Sequence, residues 1–424
     1  MLGAMLKQLA SRRGISKTTR EAFRKAKKEF GGRGLQLPDM LNILKRAVAS
    51  RSEYCSGPLL WAAENGHEGV VRILLEGKDI NPDKTDRWGR TPLSWASGRG
   101  HEGVVRILLE RKDINPDKTD RWGRTPLLWA SSRGHEGVVK MLLERNDVNP
   151  EKPDKKRRTP LLWASGTRYE GVVRMLLERS DVNPNKPDKW GRTPLSWSSR
   201  GGHEAVVRML LERNDVNPNQ RDLFTLLPLM YASWRGHEGV VRILLERTDV
   251  NPNHREFFGL TPLSQASWFG REGVARVLLE RKDVNPNHRD FYSLTPLSRA
   301  SWKGHEEVVK VLLERSEVNP NRREFFGLTP LCCASLSGRE RVVRTLLEQS
   351  DADPNRRDFW GITPLTWASW RGHEGIVRML SERNDANLLK PDRRRQTLLS
   401  WTSRGLPILN SLTSDEADKR NRRI

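Results

Sequence analysis

The sequence contains few cysteines and lacks long apolar runs, and both features narrow the class of protein. Only Cys55, Cys332 and Cys333 occur in 424 residues, and they lack the CxxC or Cys/His spacing of zinc ligands. A disulfide framework and a metal site are therefore disfavoured, and we expect an intracellular protein of the cytoplasm or nucleus. No run of about 18 apolar residues is present, so no transmembrane segment is predicted.

Motifs that carry catalytic chemistry are also missing. The sequence has no GxxxxGK[ST] phosphate-binding loop and no GxSxG nucleophile elbow, and the HEGVV string at His101 is not the zinc-protease pattern HExxH. The conspicuous histidines recur at one phase of a repeat, which favours a structural role at a turn over metal binding. We therefore predict a protein that is not an enzyme and that has no catalytic residues, metal or cofactor.

Positive charge is abundant, with a formal net charge of +22. Residues 1–56 carry +9 of it and residues 391–424 carry +4. Because more than half of the excess lies at the two ends, the total charge overstates the case for a uniformly basic, nucleic-acid-binding surface. The basic N-terminal segment, residues 1–51, is predicted to be a helical capping region. A mitochondrial presequence is the competing interpretation of its first stretch.

An internal repeat organises most of the chain. The triplet Thr-Pro-Leu recurs at spacings that are multiples of 34 residues, and degraded copies at Gly57, Leu227 and Thr397 extend the register to eleven units. The intact copies begin at Thr91, Thr125, Thr159, Thr193, Thr261, Thr295, Thr329 and Thr363. We assign residues 52–406 to this array and residues 407–424 to a polar, charged C-terminal tail.

Each unit contains the signals for two short helices. Thr91 followed by Pro92 predicts a capped helix start, and Gly100 predicts its end in the left-handed conformation. The stretch from Glu102 then has an apolar stripe typical of a second helix, and Asn115-Pro116 stops it. The remaining loop has turn residues and should form a hairpin-like connection. Stacked units of this kind bury a continuous core.

The motif TPLSWASGRGHEGVVRILLE, from Thr91, closely resembles the ankyrin repeat. The resemblance implies an all-α-dominated fold, an α-solenoid of stacked helix-turn-helix units with hairpin-like loops. It also implies that protein partners bind on a concave face formed by the loop tips and the ends of the first helices. The histidine that the family carries after Thr-Pro-Leu is replaced throughout this chain, for example by Ser94 and Leu128, which puts its hydrogen bond in doubt.

The binding positions implied by the resemblance differ between the two halves of the array. In the first half they are basic and rich in tryptophan: Arg87, Trp88, Arg90, Arg99, Arg121, Trp122, Arg124, Arg133, Trp190 and Arg192. From the sixth unit they are aromatic: Phe224, Trp234, Phe257, Phe258, Trp268, Phe269, Tyr292, Trp302, Phe326, Trp360 and Trp370. The rings either pack against each other as a satellite core or remain open for a partner, and the row as a whole favours binding.

A separate tryptophan stripe, Trp61, Trp95, Trp129, Trp163, Trp197, Trp367 and Trp401, lies within the first helices and is predicted to pack between repeats. The leading functional hypothesis is a monomeric interaction scaffold whose protein partner has acidic and apolar segments. The alternative is electrostatic binding to nucleic acid or an anionic membrane surface through the basic N-terminal segment and the Arg/Trp-rich repeats.

Overall fold

The computed structural model describes residues 57–76 and 80–383. The predicted N-terminal segment, the last repeat at Thr397 and the C-terminal tail lie outside the described residues. Within the described residues, twenty α-helices form helix-turn-helix pairs and there is no β-strand. The predicted fold class, a helical repeat array, is therefore confirmed. None of the described helices is long and apolar enough to cross a membrane.

The first helix of each pair carries an odd number. These helices are α1 (Pro58–Glu64), α3 (Pro92–Arg99), α5 (Pro126–Ser131), α7 (Pro160–Ser165), α9 (Pro194–Gly201), α11 (Pro228–Arg235), α13 (Pro262–Phe269), α15 (Pro296–Lys303), α17 (Pro330–Leu336) and α19 (Pro364–Arg371). The second helices are α2 (Glu68–Glu76), α4 (Glu102–Leu109), α6 (Glu136–Leu143), α8 (Glu170–Leu177), α10 (Glu204–Leu211), α12 (Glu238–Leu245), α14 (Glu272–Glu280), α16 (Glu306–Leu313), α18 (Glu340–Gln349) and α20 (Glu374–Ser381). A short 3-10 turn, Phe325–Gly327, precedes α17.

The first helices begin and end as the sequence predicts. The Thr91 hydroxyl accepts a hydrogen bond of 3.1 Å from the backbone N–H of Ser94, which caps α3. The same bond recurs at Thr125, Thr159, Thr261, Thr295, Thr329 and Thr363. Gly100 ends α3 with φ 75°, and a Cβ there would lie 2.6 Å from Nδ1 of His135. Backbone conformation and the neighbouring ring both require glycine at this position.

The second helices bury the apolar stripe predicted from their spacing. In α4 the side chains of Val104, Val105, Ile107 and Leu108 are buried. Just after α4, Arg111 pairs with Asp113 at 2.7 Å and donates a bond of 2.9 Å to the carbonyl of Leu75 in the preceding repeat. Arg145, Arg179, Arg213, Arg281 and Arg315 make the equivalent bond to a preceding repeat. The arginine of this Arg-x-Asp/Glu motif thus ties successive repeats together.

Recurring histidines contact the preceding repeat, which supports the predicted structural role at the turn. Nε2 of His101 lies 2.9 Å from the carbonyl oxygen of Glu64, at the end of the preceding first helix. The same contact is made by His135, His237, His305 and His373. In two repeats Arg271 and Arg339 take this position and donate through Nε instead.

The described repeats belong to two compact units, one running to Pro194 and including Met209–Val216, the other comprising Leu195–Arg208 and running on from Asn217. We call them the first and the second unit. In the first unit, helices α1, α3, α5 and α7 pack side by side, and α2, α4, α6 and α8 do the same behind them. In the second unit, α11, α13, α15, α17 and α19 form one such layer and α12, α14, α16, α18 and α20 the other.

Candidate functional site

The loop residues predicted to bind a partner lie on a five-residue turn, here called the tip, that begins at an aspartate or glutamate. In the tip Asp86–Arg90, the backbone N–H of Asp86 donates to the carbonyl of Arg90 at 3.0 Å. Oδ1 of Asp86 accepts the backbone N–H groups of Trp88 and Arg90 at 2.8 and 2.9 Å. The carboxylate therefore holds the turn closed, which confirms the expected hairpin-like loop.

Neighbouring tips are joined through their backbones. In the first unit, the N–H of Arg121 donates to the carbonyl of Trp88 at 2.8 Å, and that of Lys155 to Trp122 at 2.9 Å. In the second unit, the N–H of Phe291 donates to Phe258 at 3.1 Å. These bonds fix the second and third tip positions of successive repeats in a row.

The second oxygen of the tip carboxylate binds a side chain of its own first helix. Nε1 of Trp95 donates to Oδ2 of Asp86 at 3.0 Å, and Trp129 and Trp367 make the same bond to Asp120 and Asp358. The Trp129 ring also packs against Gly98 of the preceding repeat. These contacts support the prediction that the tryptophan stripe has a packing role.

Three arginines of the predicted binding set point inward in the first unit. The guanidinium of Arg90 lies 4.5 Å from the ring of Trp95 and 4.9 Å from that of Trp129, and Arg124 lies 4.7 Å from Trp129. Burial lowers the pKa of Arg124. Arg192 forms an ion pair of 2.7 Å with the tip carboxylate of Asp188. We therefore leave these three arginines out of the candidate binding face.

Other predicted residues of the first unit lie at the surface. Arg87, Arg121 and Trp122 are exposed, whereas Trp88 and Trp190 are half-buried, each with a cationic side chain over its ring. At the ends of the first helices, two further exposed arginines contact the preceding repeat. Arg99 pairs with Glu64 at 2.9 Å, and Arg133 donates to the carbonyl of Gly98 at 2.7 Å.

The tips of the second unit carry the exposed apolar surface. Phe257 is 66% exposed, Phe258 51% and Tyr292 52%. We call the exposed side chains at the second and third tip positions of this unit the aromatic row: Leu223, Phe224, Phe257, Phe258, Phe291, Tyr292, Phe326, Phe359 and Trp360. The rings also touch one another, since Phe326 and Trp360 have centroids 4.9 Å apart. This pair packs tip to tip, and its rings remain 44% and 41% exposed.

The predicted set left out Leu223, Phe291 and Phe359, which are 70%, 73% and 52% exposed. Their phase in the repeat, directly after the tip acid, was the signal that could have included them.

Rings at the ends of the first helices vary more in their exposure to solvent than the tip rings do. Trp370 and Phe269 are exposed, at 57% and 39%. Trp234 and Trp268 are half-buried, and Trp302 is partly buried against a cluster formed by Leu328, Cys332, Cys333 and Trp367. This end of the face therefore contributes fewer open rings than the tips.

The described residues form neither a metal site nor an activated cysteine nucleophile. No group of three or more His, Cys, Asp or Glu side chains that could hold a metal occurs among them. Burial raises the pKa of Cys332 to about 11 and that of Cys333 well above its usual value, so both thiols stay protonated. Gly98, Gly100 and Gly103 match GxGxxG spacing, but Gly98 lies in α3, Gly100 follows α3 and Gly103 lies in α4, so they do not follow a strand as a dinucleotide loop would.

A family model of known proteins matches most of the chain. The family described as Ankyrin repeats (3 copies) matches residues 37–120, 112–188, 180–256, 229–324 and 297–392. A search of curated proteins finds no match. Among solved structures, the crystal structure of the human ASB11 ankyrin repeat domain is similar at 27% sequence identity and a TM-score of 0.48, covering 54% of this chain and 100% of that one.

Proposed function

Because the chain belongs to the ankyrin-repeat family, we propose that it is a non-enzymatic scaffold that binds a partner polypeptide through its tips and the ends of its first helices. Ankyrin repeats are general protein–protein interaction modules and are typically non-catalytic. The finer assignment, to the tip face of this chain, rests on the exposed aromatic row.

The exposed rings carry this proposal because the repeat does not need them. The same tip positions hold Arg87 and Trp88 in one repeat and Lys155 and Lys156 in another, while the turn itself is held by the acid and backbone groups. Rings that are half or more exposed contribute little to folding, yet aromatic side chains dominate binding energy at protein interfaces. A contiguous exposed apolar surface of this kind marks an interaction site.

Two buried, protonated cysteines and the sparse cysteine content fit a reducing compartment. We therefore propose an intracellular location, in the cytoplasm or nucleus.

A pull-down with a variant of the tip face tests the function. The variant combines Phe257→Ser, Phe258→Ser and Trp268→Ser, and the matched control combines Lys282→Ser, Arg344→Ser and Glu314→Ser at exposed positions after or on the second helices. We expect the tip variant to keep its helical circular dichroism and lose specifically captured proteins, while the control keeps them. A folded tip variant that captures the same proteins would refute the proposal, as would capture that disappears after nuclease treatment.

A further inference from the structure

The tips of the second unit separate positive from negative charge. Each tip acid is preceded by an arginine, which gives the pairs Arg221-Asp222, Arg255-Glu256, Arg289-Asp290, Arg323-Glu324 and Arg357-Asp358. The five carboxyl groups belong to buried residues that are 3% to 9% exposed. The first four arginines are exposed and the fifth is half-buried.

The buried tip carboxylates accept hydrogen bonds from groups of the protein itself. Asp222 accepts the backbone N–H groups of Phe224 and Leu226 through Oδ1 and the hydroxyl of Tyr231 through Oδ2, at 2.5 to 2.9 Å. Asp358 does the same with Trp360, Ile362 and the indole N–H of Trp367. These acids are therefore not available to a ligand, and the tips present guanidinium groups and apolar side chains without an exposed acid.

Two of the exposed arginines contact the next repeat along the row. One guanidinium nitrogen of Arg289 donates to the carbonyl of Arg323 in the next repeat at 2.9 Å. One nitrogen of Arg255 lies 3.4 Å from Nδ1 of His288. Both arginines directly precede a tip acid and are exposed, so a carboxylate on a ligand can pair with them.

The arrangement of the rings favours a polypeptide over a nucleic acid. Phe257 and Phe258 meet edge to face with centroids 5.3 Å apart, and Phe326 leans on Trp360 at an interplanar angle of 39°. Each of these pairs covers part of a ring face, whereas a stacked base needs an open ring face. Apolar side chains pack against ring edges and into the gaps between such pairs, so they fit this surface better.

The distance between consecutive tips determines which residues of an extended ligand can contact them. Backbone hydrogen bonds join Phe291 to Phe258 and Phe359 to Phe326 across consecutive tips, and the tips belong to helix layers that pack roughly 10 Å apart. An extended chain in the polyproline II conformation advances about 3.1 Å per residue and has about three residues per turn, so every third side chain lies on the same face and passes one tip.

We propose that the aromatic row binds an extended, acidic segment of a partner protein in which an apolar side chain recurs about every third residue. The apolar side chains contact the rings and the carboxylates pair with Arg255, Arg289 and Arg323. This inference rests on the proposed function and adds the chemistry of the partner.

Fluorescence anisotropy with the full chain tests the inference. The probe is a labelled peptide that repeats Leu-Glu-Ser and is long enough to span the tips of the second unit. Three comparison peptides replace every Glu with Lys, replace every Leu with Ser, or cluster the same leucines at one end. We expect the first peptide to bind at least about tenfold more tightly than each of the others, and more tightly than oligo(dT).

Variants of the chain locate the binding. Arg255→Glu with Arg323→Glu should weaken binding of the acidic peptide at least about tenfold, whereas Lys282→Glu with Arg344→Glu, the same charge change away from the tips, should leave it unchanged. Equal binding of the lysine peptide, tighter binding of oligo(dT), or equal loss in both variants would overturn the inference. If those results accompany a pull-down that still depends on the tip rings, only the partner chemistry fails. If the pull-down fails as well, the proposed function fails with it.

Discussion

The arginines of the tips show how the same residue type takes different roles. Arg90 and Arg124 lie among tryptophan rings, whereas Arg255 and Arg289 are exposed beside the aromatic row. The first pair ends the tip, next to the first helix, and the second pair precedes the tip acid. Position within the turn therefore decides whether the charge stabilises the fold or faces a ligand.

Glu324 is a buried, titratable tip residue. It accepts bonds from the backbone N–H and the hydroxyl of Thr295 at 2.5 and 2.6 Å, and burial raises its pKa from 4.5 to about 7. In the first helix of the same repeat, α17, Cys333 takes the position where other repeats carry a hydrogen-bond donor such as Trp367. No indole or hydroxyl of that repeat therefore binds the second carboxylate oxygen of Glu324.

This pKa predicts a pH dependence. The folded chain keeps the proton that the unfolded chain releases near pH 4.5, so the stabilising contribution is complete below that pH and is lost as pH rises through about 7. Relative to wild type, Glu324→Gln should gain on the order of 2 kcal/mol in the free energy of unfolding between about pH 5 and about pH 8. Urea unfolding of both proteins at the two pH values measures this gain.

The surface variant Glu314→Gln is the control and should follow wild type at both pH values. The histidines contribute equally to the free energy of unfolding of wild type and of Glu324→Gln. Their contributions therefore cancel when the two free energies are subtracted. Identical pH profiles for wild type and Glu324→Gln would contradict the assignment.

At the scale of the element, the tip is a turn organised by one carboxylate. Asp120 accepts the N–H groups of Trp122 and Arg124 at 2.9 Å through Oδ1 and the indole N–H of Trp129 at 3.1 Å through Oδ2. One side chain thereby joins the tip to the first helix of its repeat.

Asp120→Asn tests this organisation with little change in shape. The amide oxygen can still accept the two backbone N–H groups, but its NH2 group then faces the N–H of Trp129. A buried donor without an acceptor costs about 1–3 kcal/mol, so the urea midpoint should fall. Asp113→Asn, which changes an exposed carboxylate paired with Arg111, should leave the midpoint nearly unchanged. A variant at position 120 as stable as the one at 113 would show that the carboxylate does not organise the tip.

Most of the fold could be predicted because its signals are local and repeated. Thr91, Pro92 and Gly100 mark one helix through capping and backbone conformation alone, and the period places the same signals in the other repeats. The packing of the Arg90 side chain among tryptophan rings could not be predicted in this way, because Trp129, one of these rings, belongs to the next repeat. Stacking brings these side chains together, and no single repeat contains that information.

The candidate site could be predicted in part. The phase of the repeat identified Phe257, Phe258 and Tyr292 as tip residues, and the structure exposes them. The burial of the tip acids, which leaves Arg255 and Arg289 as the charges beside the rings, depends on hydrogen bonds to backbone groups that the sequence does not display.

For the molecule as a whole, the central claim is that folding uses the helix layers and the tip acids, while the exposed tip rings are left for a protein partner. Site-specific photo-crosslinking in cells tests this most directly. A benzophenone amino acid replaces Phe258 or Phe291 in the aromatic row, or Lys282, which is exposed just after α14. We expect nuclease-resistant protein adducts from positions 258 and 291 and none from position 282. Equal adducts at all three positions, no adducts at 258 and 291, or adducts that nuclease removes would contradict the claim.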